Sequence, residues 1–131
     1  MKNLIFVCKK NSCRSQMAEG FARTTICDGK IKVASAGLEA SRVHPTAIEV
    51  MSEIGIDITQ QTSNPLNEFN PEDYNIVISL CGCGVNLPPE WVTREVFQDW
   101  ELDDPDGQPL DTFRRVRDEI KQRVEHLITN S

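Results

Sequence analysis

The chain has 131 residues and a mass of 14.8 kDa, the size of one domain with little room for a second. Its 39% hydrophobic and 26% charged residues are those of a folded soluble chain and exclude wholesale disorder. The formal charge of −6 and a pI near 4.9 exclude general nucleic-acid binding, which needs a basic surface.

Residues 2–7 read as a short buried strand through Leu4, Ile5, Phe6 and Val7. A polar loop follows, then a helix over residues 14–25 with Met17, Ala18, Phe21 and Ala22 on one face. Residues 31–35 form a second strand, stopped by Gly37. Pro45 suits the first turn of a helix whose apolar stripe is Ala47, Ile48, Met51 and Ile54, with Gly55 at its end. Residues 64–70 are loop or a short helix. Residues 74–80 give the clearest strand, a near-continuous apolar run with both faces covered. Residues 96–100 supply a fourth strand. Asp111 caps a last helix in which Phe113, Val116, Ile120, Val124 and Leu127 recur every three to four residues.

This order predicts an α/β domain of three layers around a four-stranded parallel sheet, one domain over residues 1–131. Ligands of such sheets bind beyond the carboxyl ends of the strands. Cys8 follows the first strand, Cys81 follows the third, and Asp104 comes soon after the fourth. Three chemically capable residues therefore fall at one edge. No apolar run is long enough to span a bilayer, and residues 4–7 are too short for a signal-peptide core, so the chain reads as cytoplasmic. Its five cysteines, Cys8, Cys13, Cys27, Cys81 and Cys83, should then be mostly reduced, and an odd count argues against a fully paired disulfide framework. Redox or nucleophilic chemistry, or a metal, is the better use of so many thiols.

The loop Cys8-Lys9-Lys10-Asn11-Ser12-Cys13-Arg14-Ser15 runs from a strand into a helix start. Backbone N–H groups and the positive dipole end of a helix make an oxyanion cradle there. Arg14 adds a planar two-pronged donor suited to a tetrahedral oxyanion. The same field favours a thiolate at Cys8, the nucleophilic form. Ser15 can donate to that thiolate, and Asn11 can fix the loop through side chain to backbone bonds. Taken singly, each residue also fits a buried thiol or a solvated turn. The joint spacing Cys-x5-Arg-Ser favours oxyanion chemistry.

That spacing, with Asn11 and Cys13 inside the loop, resembles the phosphate loop of the low-molecular-weight protein tyrosine phosphatases and of the arsenate reductases built on that fold. The resemblance continues through Gln16-Met17-Ala18-Glu19-Gly20, Ser35-Ala36-Gly37, His44-Pro45-Thr46-Ala47 and Asp104-Pro105, and so covers nearly the full chain. Lys10 departs from the Gly usual in family loops and adds local positive charge.

Cys81-Gly82-Cys83-Gly84 separates the two branches. Phosphatases have no need of thiols here. Reducing arsenate takes two electrons, which two thiols supply on becoming one disulfide. The resemblance implies that Cys8 attacks arsenate, Cys81 attacks the adduct to form Cys8–Cys81, and Cys83 attacks Cys81 to pass on a Cys81–Cys83 disulfide. The close spacing of Cys81 and Cys83 is similar to the cyanobacterial type, which implies glutathione and glutaredoxin as reductants; thioredoxin is the alternative. As half of a metal site, Cys-x-Cys is shorter than the usual zinc spacing, and His44 and His126 are the only histidines.

Asp104, held by Pro105, matches the family's general acid; Asp103 is the runner-up. Asp106-Gly107 stands where the phosphatases often carry aromatic residues that grip a substrate ring, which suits a small inorganic oxyanion. Asn11, Glu19 and Ser35 match potassium-binding positions of some thioredoxin-linked members, but the fourth, acidic there, is Asn64 here; Glu19 can instead brace Asn11. Cys13 and Cys27 read as structural thiols, with Cys13 in the first helical turn. Trp91 and Trp100 read as packing or rim residues, His44 as a helix-entry residue, and the charges of residues 114–125 as a solvated face.

The expectation is therefore a monomeric arsenate reductase. It takes arsenate, with phosphate or sulfate as analogues, holds no bound cofactor or metal, and draws electrons from glutathione, glutaredoxin or thioredoxin. The alternative on the same fold is a phosphatase hydrolysing phosphate monoesters. A rival from another class is a non-catalytic thiol module that senses arsenite or zinc.

Overall fold

Leu4–Cys8 forms strand β1, and all five of its residues are buried. The computed structural model describes residues 3–11, 13–26, 31–39, 41–80 and 87–129. Helix α1 (Arg14–Thr25) follows, then β2 (Val33–Gly37), α2 (Pro45–Ser52), two short 3-10 turns (Leu66–Glu68 and Pro71–Asp73), β3 (Ile76–Ser79), a one-turn helix α3 (Pro89–Val92), β4 (Val96–Asp99) and α4 (Leu110–Thr129). The four strands are parallel in the order β2-β1-β3-β4. The chain leaves β1 toward β2 on one side and later returns to β3 on the other. The direction of winding thus reverses between β1 and β3, and a crevice opens at their carboxyl ends.

Side chains of β1 alternate between two cores. Leu4, Phe6 and Cys8 pack with Met17 and Phe21 of α1, Val50 and Met51 of α2, and Phe113, Val116, Ile120 and Val124 of α4. Ile5 and Val7 pack on the other face with Val77, Leu66, Tyr74 and Trp91. That second face is covered by short turns and α3, an element that the sequence pattern did not announce. Burying each large side chain completely contributes roughly 1.5–3 kcal/mol, so the α4 stripe alone is a major term. Trp91 and Trp100 are both buried, as packing residues are.

Several boundaries differ from expectation for physical reasons. β2 starts at Val33 and runs through Gly37, because Gly37 pairs in register with Cys8. α4 starts at Leu110, so Asp111 lies inside its first turn and pairs with Arg114 at 2.9 Å instead of capping. The face over residues 114–125 is not wholly solvated. Arg117 is buried and donates from Nη1 to Val50 O and to Glu53 Oε1, both at 2.9 Å. It satisfies a carbonyl at the end of α2, which has no helical partner of its own. The Gly55 reading holds. With φ 81° it ends α2 in a Schellman arrangement, Ile56 N–H to Met51 O and Gly55 N–H to Ser52 O, both at 3.0 Å.

Gly37 is set by contact. A Cβ there would lie 2.6 Å from Asn11 N, 2.6 Å from Glu39 O and 2.7 Å from Lys10 C, all backbone atoms. β2 can lie against the loop after β1 only without a side chain at that point. We predict that Gly37→Ala lowers unfolding free energy by about 1–3 kcal/mol in urea titrations. An unchanged midpoint and slope would show that the loop gives way without cost.

Candidate active site

Cys8 closes β1, and Arg14 opens α1. Between them the chain reverses through Asn11, whose φ of 49° is left-handed, a region that Asn tolerates better than most residues. Asn11 is completely buried and fully employed. Its Nδ2 donates to Ser35 O at 3.2 Å, its carbonyl accepts from Gln16 Nε2 at 3.0 Å, and its Oδ1 accepts from the Ser15 hydroxyl at 2.7 Å. Ser35 O can only accept, so the Asn11 amide cannot flip.

Cys8 Sγ lies 2.9 Å from Ser15 Oγ and is buried. A hydroxyl carries one proton. Directed at Asn11 Oδ1, that proton makes Ser15 an acceptor for the Cys8 S–H. When Cys8 ionises, the hydroxyl can turn to the sulfur only by leaving Asn11. Thiolate formation and loop support therefore compete for one proton.

α1 has no acidic residue in its first turn, and the side chain of its N-cap residue, Cys13, makes no bond to its opening amides. Its first N–H groups, which no helical carbonyl can reach, stay available to an anion. Arg14 is nearly buried. Its Nη1 donates to Leu80 O at 3.3 Å and to Leu102 O at 3.0 Å. Those carbonyls use one nitrogen and leave the Nε and Nη2 edges for other acceptors. Nη2 lies 3.8 Å from Asp104 Oδ2.

Cys8, Lys9, Lys10, Cys13, Arg14 and Asp104 line one open pocket of about 520 Å³. Lys9, Lys10 and Asp104 are exposed at its rim. Asp103 is directed elsewhere, its Oδ2 held by Arg115 of α4 at 2.7 Å. Ser12, Cys27, Cys81 and Cys83 lie outside the described residues. Leu80, whose carbonyl binds Arg14, immediately precedes Cys81 in the chain.

Cys13 stands at the N-cap of α1, one residue before its first turn, and makes no side-chain cap bond. Glu19 does not brace Asn11 directly. Its carboxylate pairs with Arg23 at 2.6 Å and accepts from the Ser35 hydroxyl. The Asn64 side chain bonds to Thr62 and Glu68, and its carbonyl receives the Gly37 N–H. Several contributors carry no signal in the sequence, among them Ser41 and Arg42, which line the same pocket. Gly37 passed as a strand stop, and Asp106, which lines the same pocket, passed as a turn residue.

Burial pushes the Cys13 thiol up to about 12, with the neighbouring Cys8 adding in the same direction. Its ordinary value is near 9. Between these values the native chain binds the proton and the unfolded chain does not, so Cys13 lowers stability as pH rises from about 9 toward 12. We expect Cys13→Ala to flatten the alkaline fall in unfolding free energy relative to the unmodified chain. Equal slopes in that window would contradict this.

The chain matches the low molecular weight phosphotyrosine protein phosphatase family over residues 3–130. It is 68% identical over 128 residues to the glutaredoxin arsenate reductase of Synechocystis sp., covering 98% of this chain and 97% of that one. It is 45% identical to an arsenate reductase of Staphylococcus aureus, over 95% of each chain. A solved structure described as an arsenate reductase in the phosphate binding state aligns with a TM-score of 0.92 at 67% identity, over 99% of this chain and 98% of that one. Sequence and fold agree, and the chain belongs to the low molecular weight phosphotyrosine protein phosphatase family.

Proposed function

We propose that this chain reduces arsenate to arsenite through a thiol cascade, as a single-domain cytoplasmic monomer. The observation that carries the reading is the joint placement of Cys8, the α1 amides and Arg14 in one pocket, with Arg14 bonded to the residue before Cys81. The kinship with proteins named arsenate reductases supports it.

Arsenate enters as the ligand of the α1 N-terminus and the free edges of Arg14. Lys9, Lys10 and the backbone around Asn11, Ser12 and Cys13 complete the cradle. The Cys8 thiolate, supported by the Ser15 hydroxyl, attacks arsenic and forms a sulfur–arsenic bond. Asp104 delivers the proton with which an oxygen leaves as water. The Cys81 thiolate then attacks Cys8 Sγ. A Cys8–Cys81 disulfide forms, the sulfur–arsenic bond breaks, and its electron pair stays on arsenic, which departs as arsenite. Cys83 attacks Cys81 and releases Cys8 as thiolate. Two external thiols reduce the Cys81–Cys83 disulfide. The name of the Synechocystis relative supports glutaredoxin, charged by glutathione, as their source; thioredoxin is the alternative. All electrons come from thiols, so the cascade draws on no bound cofactor or metal.

Phosphate-ester hydrolysis is the second reading, favoured by the same cradle, because a phosphate ester presents the same tetrahedral oxyanion. The two separate at Cys81. We expect Cys81→Ser to lose arsenate reduction by at least about a hundredfold, as removal of an essential nucleophile does, while any phosphate-ester hydrolysis is kept. Cys83→Ser should complete one turnover and then stop. Sustained turnover by Cys81→Ser would overturn the cascade. Sustained turnover by Cys83→Ser would place the external thiol directly on Cys81.

A further inference from the structure

The turn that carries Asp104 is tied to the start of α2 through His44. The imidazole has three contacts. Its Nδ1 accepts the Thr46 amide N–H at 3.1 Å, which makes His44 the N-cap of α2. Its Nε2 lies 3.0 Å from Asp106 Oδ1. Its ring packs against Phe113 of α4, with centroids 5.2 Å apart. An amide N–H can only donate, so Nδ1 carries no proton, and the ring N–H is Nε2–H, facing the carboxylate. Asp106 gives its own backbone N–H to Asp104 Oδ1 at 3.0 Å. The second oxygen of Asp104, Oδ2, is left 3.8 Å from Arg14 at the pocket. His44, Asp104, Asp106 and Cys8 all line that pocket.

We propose that His44 is a positioning residue for the acid, acting through Asp106. The imidazole clasps Asp106, the Asp106 amide fixes one oxygen of Asp104, and the other oxygen is held over the oxyanion site. This rests on Asp104 being the acid of the proposed reaction. The turn needs such a tie. Its residues are Asp104-Pro105-Asp106-Gly107, with Gly107 at φ 79° and the Asp104 side chain 60% exposed. On its other side Asp103 is anchored to Arg115 of α4. The clasp joins the turn to α2, so the acid is located from two helices. A group misplaced by about 1 Å can cost up to about a hundredfold in rate. His44 and Asp106 themselves bond to neither the α1 amides nor Arg14, and only Asp104 approaches the Arg14 Nη2 edge, at 3.8 Å, so the clasp acts chiefly on proton delivery rather than on arsenate binding.

The test is single-turnover arsenate reduction by fully reduced protein, with arsenite measured against time over a range of arsenate. His44→Asn keeps a side-chain cap for α2 but is too short to reach Asp106. Asp106→Ala breaks the clasp from an exposed position. We expect each to slow the turnover about tenfold, part of the general-acid contribution, while half-saturating arsenate moves by less than about twofold. Asp106→Asn, which keeps an oxygen facing Nε2, should recover most of the loss, and the double variant should be no slower than either single one. Imidazole nitrogen shifts of the unmodified protein should report the Nε2–H tautomer. Unchanged rates in either single variant, losses that multiply in the double variant, or an Nδ1–H tautomer would overturn the clasp. If His44→Asn melts early, Asp106→Ala decides. Unmodified protein that forms no arsenite overturns the reading of function and the clasp with it; active unmodified protein with equally active variants overturns the clasp alone.

Discussion

Asn11 turns the chain from β1 into α1 with a left-handed backbone and a completely buried side chain. Each of its side-chain polar atoms has a partner, on Ser35 and Ser15, and its carbonyl has one on Gln16. A buried amide left without partners would cost about 1–3 kcal/mol, and the left-handed backbone adds strain of about 1–3 kcal/mol. The reversal is thus stable only inside this network. Much follows from it. Cys8 is brought next to Ser15, the α1 amides open toward the same space, and β2 must carry Gly37 where it passes the loop.

The same network links protonation to architecture. The Ser15 hydroxyl supports either the Asn11 amide or the Cys8 sulfur. When sulfur carries charge the hydroxyl belongs to it, and Asn11 keeps the loop through Ser35 and Gln16. Sulfur that loses its charge returns the proton to Asn11. Arg14 is braced separately, by the carbonyls of Leu80, directly after β3, and of Leu102, three residues past β4. The guanidinium therefore stays in place whichever way the hydroxyl turns. It also couples the oxyanion site to Leu80, where the chain passes on to Cys81.

Much of this was legible in the sequence. The α1 residues 14–25 stood out because an apolar face at helical spacing starts directly after a polar loop. The parallel sheet stood out because its apolar runs lack alternation, as strands covered on both faces do. Cys8, Arg14 and Ser15 were legible as a spacing, since a strand-to-helix turn brings those positions together by local geometry. What escaped depends on contacts distant in sequence. Arg117 reads as one more surface charge until Val50 O is placed beside it. α3 has a single turn, too short for any period. Gly37 reads as a strand stop because its role is the space it leaves for Asn11, which is set by β1–β2 register. Asp106 reads as a turn former because His44 lies 62 positions away in the chain.

The central claim is that arsenic receives its electrons from thiols of this same chain. It is tested most directly by adding arsenate to fully reduced protein under anaerobic conditions, with no other reductant, and counting thiols lost against arsenite formed. The account predicts two thiols lost for each arsenite, and a disulfide between Cys81 and Cys83 as the end product. Arsenite formed without loss of protein thiols, or no arsenite from active-site-competent protein until glutathione is added, would contradict it.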